Sequence, residues 1–181
     1  MTIRGRKALI LDRDGVVNRE KGYLYRAAEV EFLPGVWELC REARDKGYVI
    51  VIVTNQSGIA RGFYSEDDLR ALMEWMGERF VEQGVEMAAY YYCPHHPEHG
   101  VGEYKRECVD RKPGPGMLLR AARELDLDLA ASVMVGDRCS DVSAGNAAGV
   151  GRVFLLSGTE AGECGGAYIS VDSLDAVTRV L

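Results

Sequence analysis

Asp12 and Asp14 stand one residue apart at the end of an apolar run, Ala8 to Leu11, and Gly15 follows at once. Such a run reads as a strand buried on both faces, and charge at its carboxyl end needs a reason. In an open α/β sheet the carboxyl ends of the strands open into the crevice where ligands bind, which places both carboxylates for chemistry rather than packing. D-x-D-G alone is equally a strand entering a polar turn, with Gly15 supplying the turn conformation. Recurrence favours chemistry: Thr54 and Asn55 follow a second apolar run, and Asp137 with Asp141 a later one. Three carboxylates brought together repel, and Mg²⁺, which takes oxygen ligands and keeps several waters, relieves that repulsion. Lys112, between Arg111 and Pro113, brings positive charge to the same crevice. Carboxylates, a magnesium ion, a hydroxyl beside an amide and a lysine describe a site for a phosphoryl group.

The elements that position these residues alternate between strand and helix. Pro34-Gly35 opens a helix with Val36, Leu39, Cys40 and Ala43 on one face, closed by Gly47, and Tyr48 to Val53 is β-branched enough for a central parallel strand. Ser65 caps the longest helix, whose first turn is acidic and whose inner face carries Leu69, Leu72, Met73, Met76 and Phe80. Ala88 to Tyr92 is a third strand, followed by an aperiodic loop as far as Lys112. Then come a helix over Gly116 to Leu125, a strand over Ser132 to Val135, a helix over Ser140 to Ala148 closed by Gly149, and a strand over Arg152 to Leu156. Ile169 to Val171 is a short sixth strand and Leu174 to Leu181 a closing helix. The alternation predicts an α/β fold: a Rossmann-like doubly wound parallel sheet with helices on both faces, no large cap domain, and one domain over residues 1–181.

Composition excludes several classes. A chain of 181 residues suits one well-buried domain, 47% hydrophobic and 28% charged residues are globular, and no apolar run approaches the roughly 20 residues of a membrane span. The N-terminal stretch Met1 to Lys7 is basic but lacks the apolar core of a secretory signal, so a cytoplasmic location is expected. A net charge of −6 disfavours nucleic acid as a partner, and a monomer is expected. The cysteines, at 40, 93, 108, 139 and 164, are odd in number and scattered, which argues against a disulfide framework and for burial or metal binding.

Leu11-Asp12-Arg13-Asp14-Gly15, Thr54-Asn55-Gln56-Ser57-Gly58, Arg111-Lys112-Pro113 and Gly136-Asp137, in that order, resemble the four motifs of the haloacid dehalogenase superfamily of phosphatases. Asn55 to Gly62, Tyr91 to Pro97 and Arg111 to Met117 resemble more narrowly its branch of heptose bisphosphate and histidinol-phosphate phosphatases. The resemblance implies that Asp12 is the nucleophile forming an aspartyl-phosphate and that Asp14 protonates the leaving sugar oxygen and then activates water. The three histidines, at 95, 96 and 99, leave no histidine elsewhere to compete for that acid–base work. It also implies that Thr54 and Asn55 hold phosphate oxygens and that Lys112 neutralises the transferring group. Asp12, Asp137 and the main-chain carbonyl of Asp14 would ligate Mg²⁺, with Asp141 orienting its surroundings. Candidate substrate contacts are Arg13, Glu20, Lys21, Gly22, Tyr23, Gln56, Ser57, Arg61, Arg111 and Arg138. The expected substrate is a small sugar bisphosphate, a heptose 1,7-bisphosphate releasing its C7 phosphate. Histidinol phosphate or another small ester is the alternative within the class, and a phosphate-sensing scaffold the alternative outside it, disfavoured because a binding module needs no nucleophile.

A second cluster, Cys93-x-His95 with Cys108-x-Asp110, resembles the branch's C-x-H and C-x-C structural zinc site, with Asp110 where the last cysteine would stand. Zinc accepts a carboxylate oxygen, so Asp110 is one candidate fourth ligand, His96 and His99 are others, and loss of the metal is the remaining reading.

Overall fold

Six parallel strands form one sheet in the order β3-β2-β1-β4-β5-β6. They are β1 (Ala8–Leu11), β2 (Val49–Asn55), β3 (Met87–Cys93), β4 (Val133–Gly136), β5 (Arg152–Leu156) and β6 (Ile169–Val171). This computed structural model describes residues 5–156 and 164–181, so the start of the basic N-terminal stretch lies outside the described residues. Because successive strand residues point to opposite faces, β1 divides its side chains between two cores. Leu9 and Leu11 join Ile50, Ile52, Val133, Val135 and Phe154 under α1 (Val36–Asp45), α3 (Glu66–Glu82) and α6 (Leu174–Val180). Ala8 and Ile10 join Val51, Val53, Met134 and Val153 under α4 (Gly116–Leu125) and α5 (Cys139–Ala148). Both faces of the sheet are therefore covered, which is why its strands are continuous apolar runs rather than alternating ones.

The helix ends follow the sequence. Ser65 Oγ accepts from the N–H of Asp68 while the Asp68 carboxylate accepts from the N–H of Ser65, a reciprocal box that starts α3. One short helix, α2 (Ser57–Ala60), was not anticipated, since four residues are too few to show periodicity. The cysteine count also misled: Cys139 and Cys164 form a disulfide across 25 residues, tying the first residue of α5 to the segment before β6, while Cys40, Cys93 and Cys108 are free. The fold brings that pair together, and an odd total says nothing against a single bridge. Among the described residues no helix is long and apolar enough to cross a membrane.

The larger core depends on Phe80, fully buried and edge-on to Trp37 at 5.1 Å between ring centres. Phe80→Ala is expected to cost about 3–5 kcal/mol in urea unfolding; a loss below about 1 kcal/mol would mean that this helix face does not hold the sheet.

Candidate active site

The strand order reverses between β1 and β4, and the chain leaving these two neighbours diverges to opposite sides of the sheet, opening a crevice at their carboxyl ends. β1 delivers Asp12 and Asp14, β2 delivers Thr54, Asn55 and Gln56, and β4 runs through Gly136 into Asp137 and α5. The crevice, of about 500 Å³, is lined by Asp12, Asp14, Thr54, Asn55, Lys112 and Asp141 within, and by Glu20, Tyr23, Arg111 and Arg138 at its mouth.

Lys112 is its centre. The ammonium lies 2.8 Å from Asp12 Oδ1 and 2.6 Å from Asp141 Oδ1, and donates to the carbonyl of Val53 at 3.0 Å. Asn55 fixes the main chain of this lysine from both sides, its Nδ2 donating to the Lys112 carbonyl at 2.9 Å and its Oδ1 accepting the Lys112 N–H at 3.0 Å. Asn55 thus lines the crevice with its side-chain amide engaged in placing Lys112. Asp141 Oδ2 accepts from the N–H groups of Asp137 and Arg138 at 3.1 and 3.0 Å, closing the start of α5 while its other oxygen faces the lysine. Two glycines permit this closeness. A Cβ on Gly136 would sit 2.1 Å from Asp141 Cβ, and one on Gly15, at φ +92°, 2.1 Å from Asp137 Oδ2.

Asp14 is held differently. Arg13 grips its carboxylate through Nε and NH2, and Asn18 and Gln56 donate to one oxygen each at 3.0 Å. Arg13 is completely buried, with its guanidinium on Asp14 and the carbonyl of Leu24, so it faces the acid and not a ligand. Gln56 donates also to Thr54 Oγ1 at 2.8 Å and accepts from the Tyr64 hydroxyl. Lys21 turns to the Glu29 carbonyl and Glu31, and Arg61 lies over the Tyr23 ring, 5.7 Å from its centre; neither lines the crevice. Glu20, Gly22, Tyr23, Ser57, Arg111 and Arg138 do, with Glu20 joining Arg138 at 3.0 Å across the mouth. The sequence reading missed Asn18, Tyr64 and Ser140; Asn18 looked like turn and Tyr64 like the residue before a helix cap, with no motif to mark either.

The buried charges do not balance. One ligand oxygen from each of Asp12, Asp137 and Asp141 falls within 4.8 Å of the others, and the only ammonium among them is Lys112. Burial pushes Asp12 well above the usual carboxylate range, with Asp141 and Asp137 adding to the shift and Lys112 opposing it. Asp137 is lifted to about 6 by burial and by the charge of Asp141. Burial pulls Lys112 down, but Asp12 and Asp141 more than offset it and hold the ammonium charged. Asp137 Oδ1 is buried without a hydrogen-bond partner. A divalent cation with a preference for oxygen fits this donor set, this charge deficit and this orphaned oxygen.

The second cluster gathers Cys93 Sγ, His95 and Cys108 Sγ within 4.8 Å of one another. Asp110 is not among them: Arg120, ten residues on along α4, takes its carboxylate at 3.0 Å. His96 Nδ1 accepts the N–H groups of Glu98 and His99, which keeps that nitrogen in a local turn. Arg111 NH1 reaches the His95 carbonyl at 3.3 Å, so this loop is tied to the one presenting Lys112.

Residues 109–175 match the HAD-hydrolase-like family model. The chain is 50% identical over 155 residues to the D-glycero-alpha-D-manno-heptose-1,7-bisphosphate 7-phosphatase of Burkholderia mallei, covering 86% of this chain and 82% of that one. It is 47% identical over 174 residues to the D-glycero-beta-D-manno-heptose-1,7-bisphosphate 7-phosphatase of Vibrio cholerae, covering 96% and 93%. Its fold superposes with a TM-score of 0.78 and 32% identity on the crystal structure of D,D-heptose 1,7-bisphosphate phosphatase from B. bronchiseptica complexed with magnesium and phosphate, covering 96% of this chain and 97% of that one.

A cation that relieves the carboxylate cluster must stabilise the fold. Saturating Mg²⁺ at about 100 times its dissociation constant should add about 2.7 kcal/mol, read as a rise in Tm, and Asp137→Ala should abolish the rise. Because protons compete for Asp137, lifted to about 6, the same Mg²⁺ concentration should raise Tm more at pH 7.5 than at pH 5.5. An equal rise at both values would contradict the assignment.

Proposed function

We propose, from the premise that this chain belongs to the heptose-1,7-bisphosphate 7-phosphatase family of haloacid dehalogenase-like hydrolases, that it removes the C7 phosphate of D-glycero-D-manno-heptose 1,7-bisphosphate with Mg²⁺ as cofactor. The observation that carries the reading is the ammonium of Lys112 held between Asp12 and Asp141 at the strand-order reversal. Asp12 attacks phosphorus as the bond to the C7 oxygen breaks, and Asp14 gives that oxygen its proton. Asp14 then takes a proton from the water that attacks the aspartyl-phosphate, releasing inorganic phosphate and restoring Asp12. Lys112 and the Thr54 hydroxyl stabilise charge on the transferring oxygens, and Asn55 keeps Lys112 in register. Asp12, Asp137 and the main-chain carbonyl of Asp14 would hold magnesium, which would supply further positive charge to those oxygens. Arg111 and Arg138, at the open mouth, receive the far phosphate and the sugar hydroxyls.

The Cys93, His95 and Cys108 donors suit zinc, which would brace the loop behind Arg111 and Lys112. With Asp110 taken by Arg120, the fourth position falls to water or to a displaced Asp110.

Asp12→Asn should fold and release no phosphate; persistent turnover would refute the covalent route. Initial rates with Mg²⁺ on both heptose 1,7-bisphosphate anomers, histidinol phosphate and an aryl phosphate test the substrate. A preference of about 100-fold in kcat/KM for one heptose anomer, about 2.7 kcal/mol, is expected. Comparable slow rates on all would refute the heptose assignment. Metal analysis after purification without chelators should find about one zinc per chain, lost in Cys108→Ser; a ratio near zero would refute the zinc site.

A further inference from the structure

The surroundings of Asp14 are more elaborate than contact with a substrate requires. Its carboxylate, with 16% of the side chain exposed, accepts from Arg13 NH2 at 2.9 and 2.8 Å, from Asn18 Nδ2 at 3.0 Å and from Gln56 Nε2 at 3.0 Å. Arg13 is wholly buried, and among the described residues its only ion pair is with Asp14. Its NH1 is buried without a partner, and its remaining contact, NH2 to the Leu24 carbonyl at 2.8 Å, fixes the loop that brings Tyr23 to the crevice. Gln56 is fixed in turn, its carbonyl oxygen accepting from the buried Tyr64 hydroxyl and its amide donating to Thr54.

Rotation of Asp14 away from this position would strip a buried guanidinium of its counter-charge and leave the Gln56 amide short of an acceptor. Such unpaired buried groups are strongly disfavoured, so the carboxylate has one arrangement. We propose that Arg13, with Gln56 and Tyr64 behind it, is the positioning residue that aims Asp14 at the leaving oxygen. Arg13 never meets the substrate; it also couples that aim to the Glu20–Leu24 loop. The proposal rests on Asp14 being the general acid of the preceding reading.

The readout is dependence on the leaving group. A sugar alkoxide needs its proton from Asp14, whereas p-nitrophenolate departs without one, and kcat/KM reports steps through the first departure. With Mg²⁺ bound, Arg13→Met should lower the ratio of kcat/KM for heptose 1,7-bisphosphate to that for p-nitrophenyl phosphate by about 100-fold, the penalty of a misplacement of about 1 Å. Arg13→Lys, which keeps the charge without the fork, should lower it by about tenfold, and Tyr64→Phe by several-fold. If Arg13→Met does not fold, as judged by the absence of a cooperative thermal unfolding transition, the latter two variants decide by the same criterion. An unchanged ratio, whether both rates fall together or neither falls, overturns the proposal. Asp14→Asn separates the two readings: if it too leaves the ratio unchanged, the acid assignment fails, and if it alone lowers the ratio, only the positioning role fails.

Discussion

A buried ammonium shared by two carboxylates is the constraint on which the remainder of the site depends. Lys112 is 3% exposed and comes from a long loop with little secondary structure, whose own turns, such as Gly114 N–H to the Arg111 carbonyl, do not reach its ammonium. It is held by other strands: Asn55 at the end of β2 takes both main-chain groups, Val53 accepts from the ammonium, and Asp12 and Asp141 supply charge from β1 and α5. An unpaired charge at this depth would be prohibitive, and pairing it with Asp12 and Asp141 beside Asp137 leaves the opposite excess. Burial and the neighbouring carboxylates together raise Asp12 and Asp137, and a divalent cation would relieve that repulsion.

That constraint explains features of the fold that packing alone does not. A parallel sheet whose strands leave in opposite directions gives a gap only at the reversal, and the two central strands at that gap, β1 and β4, are the ones that end in aspartates. Gly15 and Gly136 carry no side chain because Asp137 and Asp141 occupy the space a Cβ would need. The disulfide from Cys139 to Cys164 fastens the first turn of α5, from which Asp141 accepts the N–H groups of Asp137 and Arg138 just before the helix.

The strands and long helices were legible because buried parallel strands are uniform runs, as in Tyr48 to Val53, and because Ser65 with its acidic first turn announces a cap. Asp12, Asp14 and Asp137 were legible as charge where an apolar strand stops, and Lys112 as a cation between Arg111 and Pro113 at the end of an aperiodic loop. The partners of these residues were not. Arg13, Asn55 and Gln56 lie inside motifs whose resemblance implies phosphate contacts, and sequence alone does not tell a side chain aimed at a ligand from one aimed at a neighbour 57 residues away, as Asn55 is at Lys112. The resemblance made Asp110 one candidate fourth zinc ligand, while its pairing with Arg120 depends on where α4 begins.

The site thus has two halves of different physical character. The inner half, Asp12, Thr54, Lys112 and Asp141, is nearly closed to solvent and has its groups engaged with one another, which suits chemistry that must be the same for any phosphate ester. The outer half is exposed: Glu20 and Arg138 meet across the mouth with 39% and 63% of their side chains open, and Tyr23 sits at φ 50° against Phe63. A pair so exposed is worth little to stability, so a ligand phosphate can take Arg138 from Glu20 at small cost. On the proposed function, discrimination among substrates would fall to the rim, where exchange of partners is cheap, and rate to the interior, where it is not. Arg13 lies at the boundary, joining the loop of the rim to the acid of the interior through one buried guanidinium.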